Sequence, residues 1–335
     1  MRVSEHYNRT VATIYDVAKR ARVSTYTVSA VLNRSAYVSP ELTERVQRAV
    51  QELDYSINEV ARSLQTRRTR TVGMLIPDIA GPFYSKVVRG VEDSLKRDGY
   101  SLILGNTYNE ASEQSRYLNL FRAKQADAIL LFVAPDGEKD VKRLVEARKP
   151  VVFVGRSPSS FEADTVTADN VLGTRLAVRH LAARHKRIGL VTGHLSLSTS
   201  SDRVQGWRAE LKTHKLPAPK DYVVEGDWTT ESGYQAAFRL LELPNPPTAI
   251  FAANFLMMAG VLRALKQKNV QVPAQVEVMS SDDSELLDCF DPPISTILQP
   301  SYEMGRRAAI LCLERIKNPS RPFERITLMP ELHLR

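Results

Sequence analysis

From Thr71 onward the chain is an alternation of short apolar runs with stretches of helical periodicity, and this alternation constrains the fold more than any other feature. VGMLIP precedes an amphipathic stretch from Phe83 to Asp98, YSLILGN precedes Glu110 to Lys124, and AILLFV, VVFVG, RIGLVTG, YVVEGD, TAIFAAN and VEVMSSDD continue the series. A run of four to six apolar residues without polar interruption suits a strand covered on both faces, and the intervening lengths suit crossover helices. The expectation is therefore α/β: parallel sheets wound with helices on both sides. With 335 residues, 43% of them hydrophobic, two or three domains can each bury a core. No GxGxxG, Walker loop or GxSxG elbow occurs, so nucleotide-dependent enzymes and serine hydrolases lose their main support.

The first 71 residues follow a different pattern. They hold twelve basic and seven acidic side chains, so about a fifth of the chain carries more than half of the net charge of +8. Such a balance suits a nucleic-acid partner. Thr13 and Asp16 form a capping box, after which Ile14, Val17, Ala18 and Ala21 share one helical face. Ser24 caps a second helix with Val28, Val31 and Leu32 inward, only Arg22 and Val23 separating the two helices. Ser39 followed by Pro40 opens a third, with Leu42, Val46, Ala49, Val50 and Leu53 inward. Two short helices joined by a tight turn and closed by a third make a helix-turn-helix unit. Thr25, Tyr26, Thr27, Ser29 and Asn33 project hydroxyl and amide groups from the second helix, the chemistry needed to read base edges and hold phosphates.

The run TIYDVAKRARVSTYTVSAVLN, Thr13 to Asn33, resembles the DNA-binding headpiece of the LacI/GalR family of bacterial transcription regulators. The resemblance implies that Thr25 and Tyr26 read bases, that Tyr15, Ser29, Asn33 and Tyr37 mainly hold phosphates, and that Thr27 shares this face. Two positions depart from the family pattern. Ala30 stands where a DNA-contacting Arg is usual, and Arg22 occupies a turn position usually filled by Gly. Asn58 to Leu64, NEVARSL, resembles the family's hinge helix. This implies that Asn58, Ala61 and Leu64 meet the minor groove, with Leu64 wedging between base pairs. Ile57 replaces the Pro common before that Asn.

The remainder resembles the sugar-sensing core of the same family, akin to periplasmic sugar-binding proteins, through PDIAGPFYSKVVRGVED, TADNVLGTRLAVRHL, SDRVQGWRAEL, EGDWTTESGYQAA, PTAIFAANFLMMAGVLRAL and PPISTILQPSYEMGRRAA. The implied organisation is a headpiece with an N-terminal arm at 1–57, a hinge helix and linker at 58–71, and a core at 72–335. Within the core, two doubly wound subdomains joined by three crossovers would comprise about 72–168 plus 300–323 and about 169–299 plus 324–335. Ligands of such folds lie outside the carboxyl ends of strands. The candidates there are Phe83, Tyr84, Asn106, Arg156, Thr199, Arg203, Trp228, Asn254 and Asp282. Arg203 offers a planar fork for hydroxyls or a carboxylate, Asp282 an acceptor, and Trp228 or Tyr84 a stacking face. A structural ion pair between Arg203 and Asp282 is the alternative. Asn254-Phe255 and Ser280-Ser281-Asp282-Asp283 depart from the family's usual Asn-Asp and Gly-aromatic-Asp-Asp.

These features define a cytoplasmic, DNA-binding regulator, expected to act as a repressor on a double-stranded operator under a small, sugar-like effector. Cys289 and Cys312 suggest neither a disulfide framework nor a metal site, and His180 and His185 lack metal-binding spacing. No cofactor or metal is expected. The longest apolar stretch, Ala249 to Leu262, contains Asn254 and is too short for a membrane span, and MRVSEHYNRT lacks a signal-peptide core. A sugar-binding transport protein, the main rival, would carry an export signal and no headpiece. The absence of leucine heptads after LMPELHLR favours a homodimer over a tetramer.

Overall fold

The computed structural model describes residues 12–33, 35–55 and 68–335, and the chain divides into two units, Met1–Thr69 and Arg70–Arg335. In the first unit α1 spans Ile14–Ala21, α2 Thr25–Asn33 and α3 Pro40–Glu52. The capping box forms: the Asp16 N–H donates to Thr13 Oγ1 at 3.4 Å, and the Thr13 N–H donates to Asp16 Oδ2 at 2.8 Å. Ser24 and Ser39 accept from the N–H groups of Thr27 and Leu42, starting α2 and α3. Val17, Ala18, Ala21, Val28, Val46 and Ala49 form the miniature core, with Val31 and Leu32 packed against it. Arg22 ends α1 at φ 52, ψ 49, the left-handed conformation for which Gly is the usual residue. Arg45 fastens this turn by donating to the Ala21 carbonyl at 2.6 Å and the Arg22 carbonyl at 3.2 Å.

The second unit contains two six-stranded sheets. The first comprises β1 (Thr71–Ile76), β2 (Ser101–Asn106), β3 (Ala128–Leu131), β4 (Val151–Val154), β5 (Asp164–Ala168) and β11 (Arg325–Leu328), in spatial order β11-β5-β4-β3-β1-β2. The second comprises β6 (Ile188–Thr192), β7 (Val223–Glu225), β8 (Ala249–Ala252), β9 (Glu277–Ser281), β10 (Thr296–Leu298) and β12 (Glu331–His333), in order β12-β10-β9-β8-β6-β7. The paired strands are parallel except β10 with β12. Alternate residues serve opposite faces. Met74, Ile76, Leu130 and Val152 enter one core, while Leu75, Ile129, Leu131 and Val151 enter the other, so the runs must be apolar throughout. Ile250 and Val278 oppose Ala249 and Met279 in the same way in the second sheet.

The covering helices are α4 (Pro82–Arg97), α5 (Ala111–Ala123), α6 (Glu138–Glu146) and α11 (Ser301–Lys317) on the first sheet. Those on the second are α7 (Asn170–Ala182), α8 (Ser198–Thr213), α9 (Thr230–Leu241) and α10 (Phe255–Gln267). Helices α4 and α11 meet through Gly90 and Gly305: a Cβ on Gly90 would lie 2.1 Å from the Tyr302 carbonyl oxygen, and one on Gly305 2.0 Å from that of Val87. Three crossovers join the subdomains, between β5 and α7, between β10 and α11, and between β11 and β12.

Two expected boundaries need correction. The tail does not belong wholly to the second subdomain, because Arg325–Leu328 pairs in parallel with Thr165–Ala168 at the edge of the first sheet, and only Glu331–His333 joins the second. Thr71 is the first residue of β1, paired with Ser101, and lies within the core rather than the linker.

Candidate functional site

In both sheets the strand order reverses beside the first strand, between β2-β1 and β3 in one and between β7-β6 and β8 in the other. Loops leaving the carboxyl ends of neighbouring strands there run to opposite faces and leave a crevice. Residues following β1, β3, β4 and β5 converge with residues following β6, β7, β8, β9 and β10 on one cavity, at the position where small-molecule sites of such folds lie.

Of the nine effector candidates, Phe83, Tyr84, Arg156, Thr199, Arg203, Trp228, Asn254 and Asp282 line this cavity. Asn106 stands apart, since its Oδ1 accepts from the Ile79 N–H at 2.9 Å and braces the loop after β1. Phe83, Tyr84 and Phe132 pack edge to face, with centroids 5.1 to 6.0 Å apart, as an aromatic wall from the first subdomain. Trp228 contributes the facing aromatic. Its indole fits only because position 193 is Gly: a Cβ there would lie 2.0 Å from the ring. Asn254 caps α10 by accepting from the Met257 N–H and donates Nδ2 to the Trp228 carbonyl at 3.0 Å, so it orients Trp228. Trp228 and Asp282 have φ of 74° and 70°. Backbone strain of this kind in non-glycine residues concentrates where structure serves function.

The electrostatics are those of a dry site. Arg156 is 2% exposed and donates to the Val133 carbonyl at 2.6 Å and Asn109 Oδ1 at 2.8 Å. Arg203, 6% exposed, reaches the Thr199 carbonyl at 3.4 Å and lies 5.5 Å from the Trp228 ring centroid. Burial lowers the pKa of both guanidiniums from the usual arginine value and raises that of the Tyr84 phenol. Burial also pushes the Asp282 carboxyl up to about 6, against the opposing pull of Arg203. Arg203 and Asp282 interact through space, and no direct ion pair joins them among the described residues. Among the described residues, Trp228 Nε1, Thr199 Oγ1 and Gln299 Oε1 are buried without a partner. Unmet hydrogen-bonding groups around an aromatic-walled cavity suit a polyhydroxylated ligand. Sequence reasoning missed Asn170, Gln299 and Phe132 in the lining. The first two follow strands directly, in TADN and ILQP, and the same strand-end rule finds them once the crossovers are treated as strand ends.

On the first unit Tyr15, Tyr26 and Tyr37 are 73%, 73% and 91% exposed, unusual for so large an apolar ring. Asn33 is exposed and donates to the Ser29 carbonyl and hydroxyl, while Thr27 is half-buried against Ser24. Thr25 and Ser29 are half-buried beside them, and Ala30 turns inward at 2% exposure. Asn58, Ala61 and Leu64 lie outside the described residues.

Residues 13–58 match the bacterial regulatory proteins, lacI family, and residues 178–335 match a periplasmic binding protein-like domain. The ribose operon repressor of Escherichia coli strain K12 is 37% identical over 325 residues, which cover 96% of this chain and 98% of that protein. The chain belongs to the lacI family. Among solved structures, a lac repressor dimer bound to operator and the anti-inducer ONPF matches this lacI-family chain with 26% identity and a TM-score of 0.85, over 97% of this chain and 98% of that one. The transcriptional regulator CelR in complex with cellobiose matches with 31% identity and a TM-score of 0.72, over 96% and 98%. The lacI-family protein is thus a DNA-binding repressor controlled by a small effector, not an enzyme. The family and the two-subdomain α/β core expected from sequence are both found. No described helix is long and apolar enough to cross a membrane.

Proposed function

We propose that this lacI-family repressor holds a two-fold operator as a homodimer, and that a sugar-like effector in the core cavity sets its grip. In this reading Thr25 and Tyr26 meet base edges, Tyr15, Thr27, Ser29, Asn33 and Tyr37 serve phosphate contact and its geometry, and Asn58, Ala61 and Leu64 engage the minor groove. The observation that carries the effector reading is the buried cavity in which Arg203, Trp228 and Gln299 keep unmet hydrogen-bonding capacity beside an aromatic wall. The operator-bound dimer and the cellobiose complex among the relatives support the two halves of the proposal.

Arg203 lies on α8 of the second subdomain, whereas Tyr84 and Arg156 come from the first. A ligand touching both binds the closed arrangement more tightly than the open one, and that difference is what shifts a conformational equilibrium. Arg203→Ala removes the fork that discriminates the two arrangements. Calorimetry with a bound sugar should then show ligand affinity falling by about tenfold or more. Operator titrations should show the ligand response lost while ligand-free operator affinity stays close to that of the parent. Unchanged ligand affinity and an unchanged operator response would remove Arg203 from the mechanism.

A further inference from the structure

The cavity's charges do not balance. Its lining contains two guanidiniums, Arg156 and Arg203, and one carboxylate, Asp282. Arg156 is held by neutral acceptors, the Val133 carbonyl and the Asn109 amide, so its hydrogen bonds leave its charge uncompensated. Arg203 has five N–H donors and a long bond to a backbone carbonyl at 3.4 Å. Near them, Asp78 and Asp202 are only half-buried and Lys86 is exposed on the Asp282 side, and none of the three lines the cavity. A buried cation without a counter-charge is costly, and a ligand that brings the missing negative charge regains most from binding.

The donor inventory points the same way. Besides the two guanidiniums, Trp228 presents an unpartnered Nε1–H, 9% exposed as a residue. The opposite need, for hydroxyl donors on the ligand, is set by the Asp282 carboxylate and the unpartnered Gln299 Oε1. A ligand satisfying both has hydroxyls at one end and an oxyanion at the other. Arg156 also borders the neighbouring space lined by Ser157, Ser159, Ser196, Ser198 and Lys139, so an oxyanion on Arg156 has room toward that side.

We infer that the effector is an acidic sugar derivative, a sugar carboxylate or sugar phosphate, whose oxyanion lies on Arg203 and Arg156 and whose hydroxyls meet Asp282 and Gln299. This rests on the proposed effector reading of the same cavity. Calorimetry on the full chain with matched sets tests it: ribose, ribonate and ribose 5-phosphate; glucose, gluconate and glucose 6-phosphate; galactose, galactonate and galactose 6-phosphate. An acidic member should bind about tenfold or more tightly than its neutral parent, as a charge-assisted hydrogen bond implies. Preference for the carboxylates or for the phosphates identifies the oxyanion. Arg203→Gln should bring the acid-to-neutral ratio toward one, and Asp282→Asn, which keeps both guanidiniums, should widen it. Should Arg203→Gln fail to fold, the Asp282→Asn ratio decides alone. A neutral sugar binding as tightly as its acids, or a ratio that Asp282→Asn narrows, overturns the acidic assignment and leaves the sugar-like effector standing. Failure of every set to bind overturns both.

Discussion

Asp282 shows how a single residue links the site to stability. Its carboxyl is buried at φ 70°, facing Arg203 and Lys86 and accepting from the Phe255 backbone N–H, and burial still pushes its pKa up to about 6 from the ordinary 3.8. A raised folded-state pKa in an acid means that ionisation opposes folding once pH passes the ordinary value, with the full penalty reached above the raised one. The contribution therefore becomes less unfavourable as pH falls from 7.5 through 6 toward 4, by up to about 3 kcal/mol at roughly 1.4 kcal/mol per unit. Asp282→Asn mimics the protonated acid, so without ligand it should melt at a higher temperature than the parent at pH 7.5, with the gain shrinking by pH 4.5. A gain independent of pH would refute this account. The same residue scale shows where sequence reading stops. Asp282 and Trp228 were legible because a residue of ligand-binding type just past a strand stands out in its segment, and Arg203, inside α8, was legible through the SDRVQGWRAEL resemblance. The role of Asn254 in holding the Trp228 carbonyl was not, because it depends on two loops 26 positions apart meeting in space. Asn106, at the end of β2, lies off the cavity lining for the same reason: its Oδ1 accepts from the Ile79 N–H of its own subdomain, a contact that only the folded chain brings about.

At the scale of elements, caps, apolar runs and turn lengths predicted the helices and most strands, since these are local properties. The edge strand β11 was misassigned because RITL alternates polar with apolar residues and could sit on either sheet. What decides its place is an anchor beside it. Arg315 on α11 forms a buried ion pair with Asp164 of β5, at 2.7 and 3.0 Å, and also donates to the carbonyls of Pro319, Arg321 and Pro322. Asp164 in turn accepts from the Glu324 N–H at 2.9 Å, at the entry to β11. Removing one partner strands the other in a dry interior. Arg315→Met should therefore cost about 3–5 kcal/mol in chemical denaturation, and adding Asp164→Leu should recover part of the loss. A loss below 1 kcal/mol for the single variant would show that the pair does not hold this edge.

At the scale of the whole molecule, two hydrogen bonds among the described residues span the cleft away from the cavity. Lys86 Nζ donates to the Asp283 carbonyl at 3.2 Å, and the Ser157 N–H donates to Ser198 Oγ at 3.1 Å. Both join the first subdomain to the second, so the arrangement is a closed one. Such closure acts on operator binding if a second copy converts a change within each core into a change in spacing between two headpieces. Sedimentation of the protein without DNA at micromolar concentration should give the mass of two chains, and a stable mass of four would contradict the assembly proposed. The return of the chain to its first sheet carries a further consequence, for biosynthesis. The first subdomain obtains α11 and its edge strand β11 only from residues 301–328, after nearly all of the second has been made. On the ribosome, the half translated first must therefore wait with one face of its sheet covered by α4 alone until translation is almost finished. A premature stop after residue 299 would thus remove α11 and β11 from the early half and β12 from the late one, leaving no intact subdomain.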